Sequence, residues 1–207
     1  MTNIRELLAT APVLPVVTID DAAYAADLAR ALADGGIGAA EVTLRTPVGL
    51  AAIELIAKRV PGFVVAAGTV LTAADLASAA RAGAAFAVSP GATRELLEAA
   101  AAAPIPYLPA IATASELMQA ASFGHDCFKL FPAAALGGVA ALDALAGPFP
   151  AARFCPTGGI GEDTAAAYLA RPNVICVGGS WLAPRAAIAK RDWPAITQSA
   201  RRASTLR

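Results

Sequence analysis

One lysine, Lys129, sits inside the apolar run Cys127-Phe128-Lys129-Leu130-Phe131-Pro132. Successive residues of a β-strand point to opposite faces, so Lys129 shares a side with Cys127 and Phe131, while Phe128 and Leu130 occupy the other. An ammonium buried without a partner is costly; shedding the proton relieves the cost and leaves a nucleophilic amine. Such an amine can form a Schiff base with a carbonyl carbon. The alternative is a lysine whose stem lines the core while its head snorkels to water at the strand end. The two other lysines sharpen the contrast. Lys58 adjoins Arg59 at the end of an amphipathic helix and Lys190 adjoins Arg191 near the C-terminus, both ordinary solvated positions.

A second chemical set lies on the predicted strand 39–44, whose faces differ. Ala40, Val42 and Leu44 alternate with Glu41, Thr43 and Arg45. If the apolar face packs on helices, the polar set points inward. Four residues of strand span about 13 Å, which sets Glu41 deep and Arg45 at the mouth. A carboxylate within reach of the Lys129 amine can shuttle protons; the alternative is an ion pair that serves only the structure.

The elements that must position these groups recur through the chain. Strands are expected at 13–19, 39–44, 63–67, 85–88, 106–111, 127–132, 153–156 and 174–177, each followed by helical spacing. A short helix is expected over 3–9. Asp20 and Asp21, Thr46-Pro47, Thr72, Thr93 and the capping-box spacing Thr113 to Glu116 read as helix starts, and helical sequence is expected from Trp181 to the C-terminus. Strand starts fall roughly 20 to 26 residues apart. Eight βα units in 207 residues match a single compact domain over 1–207, an α/β (β/α)8 TIM barrel. An open doubly wound sheet is the runner-up, but no glycine-rich dinucleotide fingerprint follows the first strand.

Active sites of such barrels lie at the C-terminal strand ends. Three ends are candidates here: Gly68-Thr69, Ser89-Pro90-Gly91, and the pair Gly158-Gly159 with Gly178-Gly179-Ser180. The last pair follows the seventh and eighth strands, where backbone N–H groups and helix N-termini often hold phosphate. Glycine allows close approach to the anion, and the Ser180 hydroxyl adds a donor.

Composition excludes several classes. Lys plus Arg and Asp plus Glu both number 16, so there is no long-range field to recruit nucleic acid or an anionic membrane. No apolar run approaches about 20 residues and the first ten carry no signal-peptide core; a cytoplasmic protein is expected. Cys127, Cys155 and Cys176 show neither CxxC nor Cys/His spacing, so buried thiols are expected rather than a metal site or disulfides. With one histidine, His125, a Ser-His-Asp triad or a multi-histidine metal centre has little to build on.

Taken together, Glu41-Val42-Thr43-Leu44-Arg45-Thr46, Ala67-Gly68-Thr69-Val70, Ser89-Pro90-Gly91, Phe128-Lys129-Leu130-Phe131-Pro132-Ala133 and Arg153-Phe154-Cys155-Pro156-Thr157-Gly158-Gly159-Ile160 resemble the family of 2-keto-3-deoxy-6-phosphogluconate (KDPG) aldolase and 4-hydroxy-2-oxoglutarate aldolase. The similarity runs from about residue 13 to 184. The resemblance implies a class I, metal-free and cofactor-free aldolase of the Entner-Doudoroff pathway, a homotrimer of TIM barrels whose partners are a small keto acid and a phosphorylated aldehyde. It implies Lys129 as the Schiff-base residue and Glu41 as the acid/base. Arg45 and Thr69 would lie beside the pyruvate carboxylate, Pro90 would shape the site, and Thr157 would contact the pyruvyl or hydroxyl end. Gly158, Gly159, Gly179 and Ser180 would line the phosphate pocket. The chain departs from the family pattern at Ala110 and Ala112, where glycine and serine are common, and at Ala134, where glutamate is often found. These loops face the aldehyde end and bear on substrate preference.

The expected reaction is cleavage of 2-dehydro-3-deoxy-6-phospho-D-gluconate to pyruvate and D-glyceraldehyde 3-phosphate. Competing readings are an aldolase for the galactonate epimer or for 4-hydroxy-2-oxoglutarate, a phosphosugar isomerase, and a phosphate-binding barrel without turnover. Only the first two require a buried lysine.

Overall fold

The computed structural model describes residues 3–206. A five-residue helix, α1 (Ile4–Leu8), opens it, capped by the Asn3 side chain, which accepts from the Arg5 N–H. Parallel strands and helices then alternate: β1 (Val13–Val17), α2 (Ala25–Asp34), β2 (Ala39–Thr43), α3 (Gly49–Arg59), β3 (Val64–Gly68), α4 (Ala73–Arg81), β4 (Phe86–Val88) and α5 (Arg94–Ala101). The second half contributes β5 (Tyr107–Leu108), β6 (Ala110–Ile111), α6 (Ala114–Ser122), β7 (Cys127–Leu130), α7 (Val139–Ala146), β8 (Arg153–Pro156), α8 (Glu162–Leu169), β9 (Val177–Gly179), α9 (Arg185–Lys190) and α10 (Trp193–Ser204). No helix among the described residues is long and apolar enough to cross a membrane.

Six strands form one sheet in the order β5-β4-β3-β2-β1-β9, and β6-β7-β8 form a second. The run expected as one strand, 106–111, is split at Pro109. Proline has no N–H for the ladder, so the chain pairs with β4 before it and with β7 after it. The Pro109 carbonyl still accepts from the Lys129 N–H at 2.9 Å. Across the other gap the parallel bridges Phe154–Val174 and Thr157–Gly178 tie β8 to the chain that becomes β9. The result is a TIM-barrel-like α/β fold with a parallel sheet curved around an interior.

Alternation along the strands sorts side chains into two apolar compartments. The larger lies between sheet and helices and takes Phe128, Leu130, Val42 and Phe154 together with Leu28, Leu32, Ile53 and Ile56. The smaller fills the base of the interior with one or two residues from nearly every strand: Leu14, Ala39, Ala66, Phe86, Val88, Leu108, Cys127, Cys155 and Cys176. Leu8 of α1, with Ile4 and Leu7 beside it, plugs this floor from below. Parallel strands covered on both faces explain why these segments read as continuous apolar runs.

Most helix starts fall where the side-chain chemistry places them. Thr72 and Thr113 make full capping boxes with Asp75 and Glu116, and Thr93 caps α5. Three expectations are corrected. Thr46 does not cap α3; its hydroxyl donates to the Ile19 carbonyl at 2.6 Å, stitching the end of β1 to the loop after β2, and the helix starts three residues later. The last strand is registered at Val177–Gly179 rather than 174–177, because Leu14 and Pro15 of β1 pair with Gly178 and Gly179. The C-terminal helical sequence begins at Arg185 rather than Trp181 and divides into two helices: Arg191 adopts a left-handed conformation (φ 54°), and Asp192 caps the second at the Ala195 N–H.

Candidate active site

Lys129 stands on β7 on the inward face, one alternation above Cys127 and level with Ala110 and Cys155 of its neighbours. Glu41 stands on β2 at the level of Val16 on β1 and Ala66 on β3. The two are 88 residues apart in sequence, yet Lys129 Nζ lies 3.1 and 3.2 Å from the Glu41 carboxylate oxygens. Their exposures are 4% and 1%, so water screens neither charge. Nζ also sits 5.4 Å from the centroid of the Phe131 ring, on the aromatic face that favours a cation. The amine therefore does not snorkel: it ends inside the fold, held by both oxygens of one carboxylate.

The carboxylate has room because of Gly68. A methyl group at that position would overlap Glu41 Oε1 and Cγ. The Gly68 carbonyl in turn accepts from the Leu44 N–H at 2.8 Å, so the backbone that makes room for Glu41 is also part of the β2–β3 seam.

Above the pair opens a cavity of about 180 Å³ lined by Val16, Thr18, Arg45, Lys129, Phe131, Thr157, Gly158, Gly159, Ile160 and Gly178 to Ser180. It joins residues from β1, β2, β7, β8 and β9, all near their C-terminal ends. A larger hollow lies elsewhere on the surface, the groove between α2 and α10 with Arg30, Trp193 and Arg201, but no buried lysine or carboxylate lines it.

Of the residues singled out in the sequence, Lys129, Arg45, Thr157, Gly158, Gly159, Gly179 and Ser180 all line this cavity, and Glu41 lies directly beneath. Thr69 does not line it, but its hydroxyl accepts from Arg45 Nε at 3.1 Å. Its backbone is left-handed (φ 59°), which turns the loop after β3 sharply. Pro90 also lies outside the lining, next to Ser89, whose buried hydroxyl pairs with the Tyr107 hydroxyl. Burial drives the Tyr107 phenol up to about 12, against the opposing pull of Ser89.

Gly158 and Gly159 are both left-handed (φ 100° and 74°), a conformation strained for any other residue type. Backbone bonds from Ala133 N–H to the Thr157 carbonyl (2.8 Å) and from Ala134 N–H to the Gly158 carbonyl (3.0 Å) clamp this turn to the loop after β7. The loop after the Lys129 strand and the glycine turn are thus joined at one corner. Thr157 Oγ1 donates to the Cys155 carbonyl at 3.3 Å and fits over Gly178, where any side chain would collide with it.

The Cys155 thiol lies under this layer and accepts from the Cys176 thiol at 3.5 Å. That hydrogen bond is the main reason its pKa falls, with the Lys129 charge adding to it and burial and the Glu41 charge opposing. Sequence reasoning missed two cavity residues of consequence, Thr18 and Phe131 as ring partner of the amine. Thr18 could have been found from alternation alone, since it shares the inward side of β1 with Leu14 and Val16.

Comparisons with known proteins agree in one direction. A family model described as KDPG and KHG aldolase matches residues 4–199. The KHG/KDPG aldolase of Escherichia coli (strain K12) is 49% identical over 202 residues, covering 98% of this chain and 95% of that protein. The 2-dehydro-3-deoxy-phosphogluconate aldolase of Pseudomonas aeruginosa is 48% identical over 201 residues, 97% of this chain and 91% of that one. Among solved structures, the KDPG aldolase of Legionella pneumophila, with pyruvate captured at low pH as a covalent carbinolamine intermediate, superposes with a TM-score of 0.97 at 46% identity over 99% of both chains. The enzyme of Zymomonas mobilis ZM4 with 3-phosphoglycerate gives 0.94 at 46% identity, covering 99% of this chain and 96% of that one.

Proposed function

The chain belongs to the family of KDPG and KHG aldolases, and from that premise we propose that it cleaves 2-dehydro-3-deoxy-6-phospho-D-gluconate to pyruvate and D-glyceraldehyde 3-phosphate through a Schiff base on Lys129. The observation that carries the reading is the buried amine 3.1 and 3.2 Å from both Glu41 oxygens, beneath a cavity edged by two glycine turns. A covalent or proton-transfer role accounts for an ion pair in this position better than stability does, since an apolar pair of the same volume often serves stability as well.

The chemistry follows from the geometry. Glu41 first takes a proton from the Lys129 ammonium, the neutral Nζ attacks C2 of the keto acid, and the carbinolamine loses its hydroxyl as water when Glu41 returns that proton, which leaves a protonated imine and an ionised Glu41. Glu41 then takes the C4 hydroxyl proton. The C4 oxygen forms the aldehyde carbonyl as the C3–C4 bond breaks, and its electron pair flows through C2 to the imine nitrogen. D-Glyceraldehyde 3-phosphate leaves; the enamine is protonated at C3, and water at C2 releases pyruvate and the free amine. Arg45, with Thr69 bonded to it, meets the substrate carboxylate, and Pro90 shapes the site from the end of β4. Thr157 faces the pyruvyl and C4 end, and Gly158, Gly159, Gly179 and Ser180 take the phosphate.

The reading extends to the whole molecule. It is one domain over 1–207, a closed (β/α)8 barrel; counting β5 and β6 as one strand bent at Pro109 supports this reading, as do the parallel bridges Phe154–Val174 and Thr157–Gly178. It works in the cytoplasm as a homotrimer; Leu71 and Met118, 58% and 62% exposed, are the kind of side chain that a subunit contact covers.

Borohydride reduction in the presence of pyruvate, followed by peptide mapping, tests the reading. Pyruvate should appear on the peptide containing Lys129, and kcat/KM should be highest for the phosphogluconate substrate among it, the galactonate epimer and 4-hydroxy-2-oxoglutarate. An unmodified Lys129 in an enzyme that turns over would overturn the covalent mechanism. The floor of the site offers a further check. Gly68→Ala pushes a methyl group into the Glu41 carboxylate, and a displacement near 1 Å is expected to cost roughly 100-fold in kcat, read by steady-state kinetics alongside circular dichroism.

A further inference from the structure

We propose that Thr18 is a specificity-determining residue: its hydroxyl oxygen accepts a hydrogen bond from the substrate's C5 hydroxyl, and the site thereby selects aldehydes carrying a hydroxyl next to the carbonyl carbon. The inference rests on the aldolase reading above and adds a recognition element to it.

Position comes first. Val16 is level with Glu41 across the β1–β2 pair, and Thr18 stands one alternation higher, about 6–7 Å along the strand direction. Thr18 and Ser180 are the two polar side chains that line both the 180 Å³ cavity over Lys129 and the adjoining one of about 370 Å³ bounded by Ile160, Trp181 and Arg185. Thr18 therefore sits above the reacting layer, on the side of the cavity shared with the proposed phosphate end. A substrate bonded at C2 to Lys129, with its phosphate at Ser180, runs past Thr18 with the carbons in between.

The hydrogen-bond chain then fixes polarity. Thr43, fully buried, donates its hydroxyl proton to the Val17 carbonyl at 3.1 Å. A hydroxyl has one proton, so the 3.0 Å contact between the Thr18 and Thr43 oxygens is made with the proton of Thr18. What Thr18 shows the cavity is an oxygen with lone pairs and no hydrogen to give. Such a group suits neither a phosphate nor a carboxylate; it suits a hydroxyl donor. Of the two hydroxyls between C2 and the phosphate, the one at C4 surrenders its proton to Glu41 in the reaction, which leaves the C5 hydroxyl as the donor for Thr18.

The synthetic direction isolates this contact. Pyruvate is condensed with D-glyceraldehyde 3-phosphate and, separately, with 3-phosphooxypropanal, which lacks only the hydroxyl in question. The readout is the ratio of kcat/KM for the two aldehydes within each protein, so that losses common to both cancel. Thr18→Val is expected to lower the ratio about 5- to 10-fold, the scale of one neutral hydrogen bond. Thr18→Ala, which adds no methyl against Thr43, should lower it alike, and Thr18→Ser should hold it within about twofold of the parent. An unchanged ratio in the valine and alanine variants, or an equal fall on both aldehydes, would overturn the assignment. Borohydride trapping of pyruvate runs in parallel: an adduct on Lys129 with an unmoved ratio sinks only the role of Thr18, whereas no adduct in the parent protein sinks the aldolase reading and this inference with it.

Discussion

Lys129→Ala is expected to lower aldol cleavage by on the order of 10⁴-fold or more and to abolish the borohydride-trapped adduct with pyruvate. Removing a covalent nucleophile removes the whole reaction route rather than one stabilising contact, which is why its loss acts on this scale. The fold must survive for the result to count. Taking one partner from a buried ion pair costs about 3–5 kcal/mol, and Glu41, 1% exposed, would be left facing an empty site. Lys129→Arg answers that difficulty, because it keeps a cation beside Glu41 yet cannot form the imine. Near-normal turnover in a folded alanine or arginine variant would rule out the Schiff base.

The second large effect separates the proton shuttle from the nucleophile. Glu41→Gln keeps size and the hydrogen-bonding outline of the side chain but cannot take a proton from the C4 hydroxyl. A loss of roughly 10²- to 10⁴-fold is expected, falling equally on kcat and kcat/KM because the interaction belongs to the transition state. The lysine adduct should still form with pyruvate, more slowly. Turnover within a few-fold of the parent in a folded Glu41→Gln variant would mean that Glu41 serves chiefly to hold the amine in place, which is the structural ion-pair alternative.

The positions of these side chains are legible in the chain where period and chemistry coincide. The lysine strand and the strand of Glu41 each alternate, and alternation alone puts Lys129 with Cys127 and Glu41 opposite Val42; the side chains fall on those faces. Thr72, Thr93 and Thr113 cap as their spacing says. Thr46 failed for a reason invisible locally: its hydroxyl found a carbonyl 27 residues away, at Ile19. The helical sequence expected from Trp181 carries no local sign of the left-handed Arg191 that divides it, which is a matter of backbone conformation.

The residue types of the site were settled by the sequence on its own: an amine and a carboxylate on inward strand faces, glycines at strand ends, and a helix-strand alternation long enough to surround them. Faces and caps depend on neighbours a few positions away, and those are written in order along the chain. Distance was decided only by the tertiary structure. That 88 residues of chain bring Lys129 Nζ to 3.1 Å from Glu41, that Gly68 vacates the space the carboxylate needs, and that the Thr18 hydroxyl lies 3.0 Å from that of Thr43 all depend on parallel strands set side by side in one register. Register is fixed by the packing of both sheet faces at once, and no stretch of sequence carries that information alone.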